Sequence, residues 1–296
     1  MYDCIIIGSG PAGMTAAIYA CRAGYKIALI TGSEIFGSLG KISSIENYPG
    51  IDQISGYNLA TKMYDQLDKY SNLTKFEFLN AKNYSKYNNN IEVELDDDSK
   101  IMGKSLIITI GGKHRTLGLE NETNFFNKGI SFCATCDGPM YKNKNVAIIG
   151  GGNSAMDFSL TLSKYCHLIS IFHRRDTFRA DKTMIEKVKK LKNVTLFKNS
   201  TVDSIMEQDN KFLGLNIKCQ GEEKLYHFFF DGCFYALGFE KNNIECINND
   251  NISNSINNIF YAGDCIDEKY RQVITACGDG CKAALDCVKY LQEKGN

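Results

Sequence analysis

Two glycine-rich turns of the same type constrain the fold of this chain more than any other feature. The first is Gly8-Ser9-Gly10-Pro11-Ala12-Gly13, and the second is Gly150-Gly151-Gly152-Asn153-Ser154-Ala155. Each follows a short apolar run and precedes a helix-like segment, which is the context of a dinucleotide-binding turn. One such turn is weak evidence, but two in one chain predict an α/β protein that binds two dinucleotides.

The first turn belongs to a predicted strand-turn-helix-strand unit. Residues 4–7 form a β-branched run suited to a buried parallel strand, and Pro11 falls near the first helical position. Gly24 is expected to end the helix, and residues 26–30 form the next strand. Glu34 follows at the distance where an acid accepts a hydrogen bond from a ribose hydroxyl. A glycine turn without a ligand is the alternative.

The second unit repeats this pattern with one change. We expect a strand at 146–149, a helix at 153–164 and a returning strand at 167–172. His173, Arg174 and Arg175 then stand where the first unit has an acid, and Arg179 follows. Guanidinium groups bind a 2′-phosphate through charge-assisted bonds, so this site is expected to select NADPH over NADH. A solvated basic turn is the alternative.

A close cysteine pair precedes the second turn. The segment reads Cys133-Ala134-Thr135-Cys136-Asp137, so two residues separate the thiols. Beside two dinucleotide sites, the pair suggests that electrons pass from one dinucleotide through the other to a disulfide. The alternative is half of a zinc site completed by Cys166, His167 or His173, but their spacing is unlike that of zinc modules.

Charge and cysteine usage exclude several other classes. Lys plus Arg and Asp plus Glu balance at 34 each, so bulk charge favours neither nucleic acid nor a membrane as a partner. No basic segment precedes the first apolar run, and the 12 cysteines are scattered through the chain. We therefore expect a cytoplasmic protein without a targeting segment, whose other cysteines behave as small hydrophobic residues.

Two further apolar runs end in glycine turns and indicate how the units are connected. They lie at residues 106–112 and 234–238, with the second glycine turn and the cysteine pair between them. Strand character resumes at 260–264, before a long helix-like tail. We infer that one domain is inserted within another.

These motifs together resemble the low-molecular-weight, bacterial-type thioredoxin reductases over nearly the full length of the chain. Besides the two turns and the cysteine pair, the resemblance depends on residues 46–50, 173–180, 263–264 and 270–272. It implies an α/β fold of two Rossmann-like, three-layer domains. The FAD domain would comprise residues 1–112 and 241–296, and the NADPH domain with the cysteine pair residues 113–240. A homodimer and a thioredoxin or thioredoxin-like disulfide partner are also implied.

The family's functional positions can be carried over where this sequence matches them. FAD would contact Gly8, Ser9, Gly10, Pro11, Ala12, Gly13, Thr31, Glu34, Gly37, Ser38, Leu39, Asn47, Gly263, Asp264, Arg271, Gln272 and Val273. NADPH would contact Gly152, Asn153, Ser154, His173, Arg174, Arg175 and Arg179, and no metal is implied. Cys136 would face the flavin, Cys133 would attack the partner disulfide, and Asp137 would be the acid/base.

Three alternative functions share parts of this pattern. A flavoprotein reductase for another disulfide partner would use the same sites but usually carries an extra disulfide domain. A ferredoxin- or flavodoxin-NADP reductase would not need Cys133 and Cys136. A non-enzymatic redox sensor would not need a complete set of cysteines, acid and arginines.

The chain departs from the family pattern at a few positions near the flavin. Residues 36–39 read Phe-Gly-Ser-Leu where relatives have Gly-Gly-Gln-Leu, and residues 109–111 read Thr-Ile-Gly where they have Ala-Thr-Gly. The second exit, at 237–241, lacks the usual proline. We expect these changes to affect flavin affinity and reduction potential rather than the reaction class.

Overall fold

A computed structural model describes residues 1–42, 45–87, 89–247, 258–267 and 270–295. The chain divides into two compact units. The terminal unit contains Met1–Lys113 and Glu240–Asn296, and the central unit contains His114–Phe239. None of the helices in these described ranges is long and apolar enough to cross a membrane.

The terminal unit is an α/β structure built from both ends of the chain. Its amino-terminal part contains β1 (Tyr2–Ile7), α1 (Pro11–Arg22), β2 (Ile27–Gly32), α2 (Gly56–Asp65), β3 (Leu73–Glu77), β4 (Ala81–Tyr87), β5 (Asn90–Leu95), β6 (Lys100–Ile108) and β7 (Gly112–His114), whose last residue opens the central unit. The predicted strand-turn-helix-strand unit is confirmed, since α1 begins at Pro11 and Gly24, with a φ of 89°, follows its end.

The central unit begins with β8 (Ile130–Ser131) and the short helix α3 (Ala134–Asp137). It continues with β9 (Asn145–Gly150), α4 (Asn153–Leu162), β10 (Leu168–Phe172), α5 (Lys182–Lys189), β11 (Val194–Phe197), β12 (Ser200–Gln208), β13 (Lys211–Cys219), β14 (Leu225–Phe229) and β15 (Gly232–Ala236). The predicted second unit is confirmed, although its helix ends at Leu162, two residues before the expected position.

The chain returns to the terminal unit through β16 (Phe239–Lys241), which pairs with β7. The remaining elements are β17 (Glu245–Ile247), β18 (Ile259–Tyr261) and the long helix α6 (Val273–Gly295).

The sheet of the terminal unit has the strand order β17-β4-β5-β6-β1-β2-β3, with β18 beside β6. The strands β1, β2, β3, β6 and β18 pair in parallel, whereas β4, β5 and the first half of β6 form an antiparallel meander. Parallel strands need helical crossovers, and α1 packs against α6 on one face of the sheet. The two helices approach closely, since a Cβ on Gly280 would lie 2.1 Å from the carbonyl oxygen of Ala12.

The central unit contains a five-stranded parallel sheet in the order β11-β10-β9-β15-β8 and a separate antiparallel sheet, β12-β13-β14. One apolar cluster packs α4 against the parallel sheet around Phe234, and a second, around Phe172, joins the parallel sheet to the antiparallel one. The carboxyl ends of the parallel strands are the edge where α/β proteins bind ligands, and both glycine turns follow such ends.

Candidate functional site

The first glycine turn joins β1 to α1 and leaves room above one of its glycines. Gly8 has a φ of 102°, and a Cβ there would lie 2.5 Å from the carbonyl oxygen of Thr109. A Cβ on Gly13 would lie 1.8 Å from the carbonyl oxygen of Gly8, whereas one on Gly10 would have no atom within 4 Å. Gly10 caps α1 without a side-chain hydrogen bond, and the first turn of α1 has no acidic residue. The amides of this helix start can therefore bind an anion.

Thr109 fixes the shape of this turn from the neighbouring strand. Its buried hydroxyl lies 2.8 Å from the carbonyl oxygen of Ile7 and 2.9 Å from that of Gly8, and it donates to this pair. The sequence identified Thr109 only as a departure from the family pattern. The structure gives it a local role, because the backbone of Gly8 passes too close to Thr109 for any larger residue.

The segment after β2 carries the predicted adenosine contacts. The buried Ser9 hydroxyl donates to the carbonyl oxygen of Thr31 at 3.1 Å and also contacts that of Ile35. Glu34 lies beyond β2, and its carboxylate forms an exposed ion pair with Lys41 at 2.6 Å. Ser38 is exposed, and Leu39 is buried against α2.

Phe36, which stands where the family pattern has glycine, packs onto α2. Its ring lies 5.3 Å from that of Tyr57 and 5.9 Å from that of Tyr64, both in edge-to-face contact. The following residue, Gly37, has a φ of 52°, and a Cβ there would lie 3.9 Å from the Cα of Gly10. The added phenyl ring is thus engaged with helix α2, while a glycine remains next to the turn.

A third set of predicted residues lies before α6. Burial raises the pKa of Asp264 to about 6, although the positive charge of Arg271 opposes this rise. Gln272 accepts a hydrogen bond from the side-chain amide of Asn47 at 3.2 Å. Val273 begins α6 and packs against the apolar cluster around Leu39. The structure therefore brings the amino-terminal and carboxy-terminal predicted residues of the terminal unit together.

Backbone geometry beside this set is also unusual. Arg271 has a φ of 44°, a left-handed conformation that is uncommon for a residue other than glycine. Gly263, which precedes Asp264, has a φ of 78°, and a Cβ there would lie 3.0 Å from that of Ala12 in the first turn. Such conformations often mark binding sites, because the surrounding structure must hold them in place.

The cysteine pair of the central unit forms a disulfide. Cys133 and Cys136 are bonded, with their Cα atoms 5.3 Å apart, at the start of α3. Cys136 is exposed and Cys133 is partly buried. Cys133 also caps the helix, because its sulfur accepts a hydrogen bond from the backbone N–H of Cys136 at 3.1 Å. A disulfide accessible on a short helical turn can be attacked by an external thiolate, and once it is reduced its own thiols can attack an external disulfide.

Asp137 lies one residue after this disulfide, in a partly buried position. Burial raises the pKa of its carboxyl group, and a hydrogen bond from Ser131 opposes the rise. The Ser131 hydroxyl donates to Oδ2 of Asp137 at 2.6 Å. A carboxyl group that retains its proton to higher pH than usual can exchange protons with thiols more readily. Ser131 could not be predicted from the sequence, because no recognisable motif distinguishes it.

The second glycine turn repeats the geometry of the first. A Cβ on Gly150 would lie 2.5 Å from the carbonyl oxygen of Ala236, and one on Gly151 would lie 2.2 Å from Nδ1 of His173. Around Gly152 no atom lies within 4 Å of such a Cβ. Gly152 caps α4 without a side-chain hydrogen bond. Asn153 and Ser154 begin the helix in exposed positions, and the Asn153 amide donates to Asp181 at 3.1 Å.

His173 forms a wall of this turn rather than a cationic contact. It is 5% exposed, its ring stacks on Phe178 with centroids 5.2 Å apart, and its Nε2 lies 3.0 Å from the carbonyl oxygen of Thr177. Burial lowers the pKa of His173, and the hydrogen bond to Thr177 opposes this effect. The positive charges of the neighbouring arginines lower the pKa further. The imidazole is therefore neutral near pH 7, and positive charge at this edge comes from the arginines.

Arg174, Arg175 and Arg179 are all exposed after the end of β10. Within the described ranges, no carboxylate forms an ion pair with any of the three. The backbone N–H of Arg179 donates to the carbonyl oxygen of Gly151 at 2.7 Å, which ties the arginine segment to the glycine turn. These cations are thus available to an anionic ligand at this turn.

The zinc alternative finds no support in the described part of the chain. No group of three or more His, Cys, Asp and Glu side chains there could hold a metal ion. Cys133 and Cys136 are bonded to each other, while Cys166 is buried and His173 is engaged by Thr177.

Comparisons with known proteins agree with this geometry. Residues 2–280 match the pyridine nucleotide-disulphide oxidoreductase family. A thioredoxin reductase of Mycoplasma genitalium is 34% identical, covering 96% of this chain and 94% of the relative. A Pseudomonas fluorescens relative named glucosaminate ammonia-lyase is also 34% identical, covering 97% and 95%. The crystal structure of thioredoxin reductase from Streptococcus pyogenes matches with a TM-score of 0.89 and 32% identity over 99% of both chains.

Proposed function

The chain belongs to the pyridine nucleotide-disulphide oxidoreductase family, and we propose that it is an NADPH-dependent thioredoxin-disulfide reductase. The observation that carries this proposal is the exposed Cys133–Cys136 disulfide, with a partly buried carboxyl group, Asp137, directly after it. The relatives named thioredoxin reductase match nearly the whole length of the chain. The oxidised substrate is a thioredoxin or a thioredoxin-like protein.

The residues present fit two dinucleotide cofactors. Both glycine turns leave open space above one glycine, Gly10 or Gly152, and both helices start without a side-chain cap. A pyrophosphate satisfies such free amides. We assign NADPH to the central unit and FAD to the terminal unit, at residues 8–13, Thr31, Glu34, residues 37–39, Asn47, residues 263–264 and residues 271–273. When bound, these cofactors supply the hydride and the two electrons that open the Cys133–Cys136 bond.

The cysteines then carry the electrons to the partner. The Cys133 thiol gives up its proton, and its sulfur attacks the partner disulfide to form a mixed disulfide while one partner sulfur leaves. Cys136 then attacks Cys133, which re-forms the internal disulfide and releases the second partner sulfur. Two electrons and two protons reach the partner. Asp137 accepts a proton from each attacking thiol and returns it to each departing sulfur.

The arginine cluster decides the choice of coenzyme in this proposal. Arg174, Arg175 and Arg179 follow β10, at the position where an NAD-binding unit has an acid for the ribose hydroxyl. A 2′-phosphate at this position is attracted to the guanidinium groups, whereas NADH offers no group of that charge. His173 contributes shape rather than charge, because its neutral ring packs under Gly151.

Other activities fit the central unit less well. A ferredoxin- or flavodoxin-NADP reductase transfers electrons without a dithiol, so it leaves the exposed disulfide and Asp137 unexplained. The same argument applies to an ammonia-lyase, since eliminating ammonia from an amino sugar requires no disulfide exchange. A reductase for another disulfide protein uses the same residues, and only the identity of its substrate distinguishes it.

Assembly and location extend the proposal. We infer a homodimer and a cytoplasmic location from the resemblance to bacterial-type thioredoxin reductases, with no contact to nucleic acid or membrane. Sedimentation of the purified protein measures its assembly state.

Anaerobic mixing tests the function directly. NADPH should bleach the flavin absorbance of the purified protein, and oxidised thioredoxin should then restore it. Cys133→Ser and Cys136→Ser should each abolish thioredoxin reduction but retain bleaching by NADPH, because the cysteines act after hydride transfer. Near wild-type turnover of thioredoxin by either variant would show that the assigned cysteines are wrong. A correctly folded protein that binds no FAD would refute the whole proposal.

A further inference from the structure

One buried hydroxyl group links the backbone of Cys133 to the carboxyl group of Asp137. Ser131 is the last residue of β8 and is 2% exposed. Its Oγ lies 2.6 Å from Oδ2 of Asp137, 3.1 Å from the backbone nitrogen of Cys133 and 3.4 Å from the carbonyl oxygen of Cys133. A single serine thus contacts both the residue that attacks the partner and the residue that handles its proton.

These three contacts allow two hydrogen-bond arrangements. When the Asp137 carboxyl is ionised, the serine hydroxyl donates to Oδ2 and accepts from the Cys133 N–H. When Asp137 is protonated, the carboxyl can donate to Oγ, and the hydroxyl hydrogen can turn to the carbonyl oxygen of Cys133. Only the hydroxyl hydrogen needs to rotate, because every acceptor is already within 3.4 Å.

We propose that Ser131 is a positioning residue that holds the Asp137 carboxyl beside the Cys133–Cys136 pair in both of its protonation states. The hydroxyl reorients each time Asp137 accepts or returns a proton, so the carboxyl group does not have to move between the two exchange steps. This inference depends on the proposed function, in which Asp137 handles one proton in each exchange.

The other ionisable groups around Asp137 leave this role to Ser131. Burial raises the pKa of Tyr141, in the turn after α3, to about 12, and the charge of Asp137 adds to the rise. The phenol is therefore neutral at the pH of the reaction. Beyond Tyr141 lie Asp231, Cys166 and Cys233, the last on β15 beside β8. Helix α4, which packs on α3, carries Asp157 in an exposed position.

Removing the serine hydroxyl should therefore change the proton chemistry of Asp137. The hydrogen bond from Ser131 stabilises the carboxylate and lowers its pKa against the effect of burial. Without this bond, the pKa rises further, so a higher pH is needed to ionise the base. A hydrogen bond to a charged group is strong enough to move an ionisation by about one pH unit.

The test uses the FAD-bound full-length enzyme with NADPH and oxidised thioredoxin. In Ser131→Ala we expect the acid limb of the pH profile to move up by about one pH unit, with about tenfold slower thioredoxin reduction below that limb. Bleaching of the flavin by NADPH should be unchanged. Ser131→Thr, which keeps the hydroxyl, should restore the wild-type profile. Ser159→Ala removes another fully buried serine hydroxyl of the central unit and should leave the profile unchanged.

A double-mutant cycle with Asp137→Asn separates this role from a general loss of stability. If Ser131 acts through Asp137, Ser131→Ala should change the rate of thioredoxin reduction by less than about twofold in the Asp137→Asn background. Equal losses in both backgrounds, or a wild-type pH profile in Ser131→Ala, would overturn the inference. A wild-type enzyme that bleaches with NADPH but does not reduce thioredoxin would instead refute the proposed function.

Discussion

Two glycines of the first turn provide a matched pair, because alanine should have opposite effects on folding at the two positions while FAD binding falls at both. A Cβ on Gly10 would have no atom within 4 Å, whereas a Cβ on Gly13 would lie 1.8 Å from the carbonyl oxygen of Gly8 and 2.7 Å from the Thr109 hydroxyl. Both positions belong to the same turn. Alanine substitution therefore tests separately what the turn needs in order to fold and what it needs in order to bind a cofactor.

The alanine methyl group should be tolerated in the fold at Gly10. This residue has a φ of −68° and a ψ of −176°, an extended conformation open to any residue. Replacing glycine at a compatible position stabilises a protein by about 0.4–1 kcal/mol, because it restricts the unfolded chain. In the folded protein, however, the methyl group occupies the space beside the free amides of α1. Each hydrogen bond to a phosphate that is lost should weaken FAD binding by about ten- to a hundredfold.

The same substitution at Gly13 should destabilise the fold itself. The added methyl group meets backbone atoms, so α1 must move away from the end of β1. Overpacking of this kind costs about 1–3 kcal/mol, and a backbone obstacle places Gly13→Ala at the upper end of that range. FAD binding should then fall as a consequence of the displaced helix.

Urea unfolding of the FAD-free variants and fluorescence titration with FAD measure the two effects separately. We expect Gly10→Ala to match or exceed the wild-type free energy of unfolding while losing FAD affinity, and Gly13→Ala to lose both. A Gly10→Ala variant that binds FAD with wild-type affinity would refute the assignment of this space to a pyrophosphate. Equal destabilisation by both substitutions would refute the steric argument.

Three further predictions concern separate residues. Arg174→Ala or Arg175→Ala should raise the KM for NADPH by about ten- to a hundredfold and hardly change that for NADH, measured by steady-state kinetics, because one charge-assisted contact is lost; equal losses for both coenzymes would contradict the proposed NADPH selectivity. The pKa of Asp264 is about 6 in the folded chain, against an ordinary 3.8. Without FAD, the wild-type protein should therefore lose unfolding free energy as the pH rises through 6 and the carboxyl group gives up its proton. Relative to wild type, Asp264→Asn should gain up to about 3 kcal/mol of unfolding free energy between pH 4 and 7. Thr109→Val should lower the free energy of unfolding by about 1 kcal/mol, measured by urea unfolding, because the carbonyl oxygens of Ile7 and Gly8 lose their hydroxyl donor.

The sequence predicted the elements that follow a local rule. A β-branched run, a glycine turn and Pro11 are enough to predict β1 and α1, and the same pattern predicts β9 and α4. The ends of these elements follow no such rule, since α4 ends at Leu162 rather than at the expected residue 164. The disulfide was also predicted, because a two-residue spacing between cysteines is itself a chemical pattern.

Residues that act through distant contacts could not be found in this way. Thr109 fixes a turn that lies far from it in sequence, through hydroxyl contacts to Ile7 and Gly8. Ser131 has no motif of its own, and its role depends on where β8 ends relative to α3. His173 packs against Gly151 of the second turn, but its charge was not predictable from the sequence. Burial lowers the pKa of His173, and burial depends on tertiary packing rather than on residue type.

The two glycine turns are too alike to distinguish FAD from NADPH in the proposed function. In both, the first glycine lies against the end of a neighbouring strand, β6 or β15. A Cβ on Gly8 or Gly150 would therefore lie 2.5 Å from a backbone carbonyl oxygen. In both, Gly10 or Gly152 faces open space at a helix start that lacks a cap. Turns so similar offer a pyrophosphate the same surroundings and cannot by themselves select between dinucleotides. Selection therefore falls to the residues after the second strand of each unit. There, one unit has Glu34 paired with Lys41, and the other has exposed arginines, which attract a charged 2′-phosphate more strongly than a neutral ribose hydroxyl.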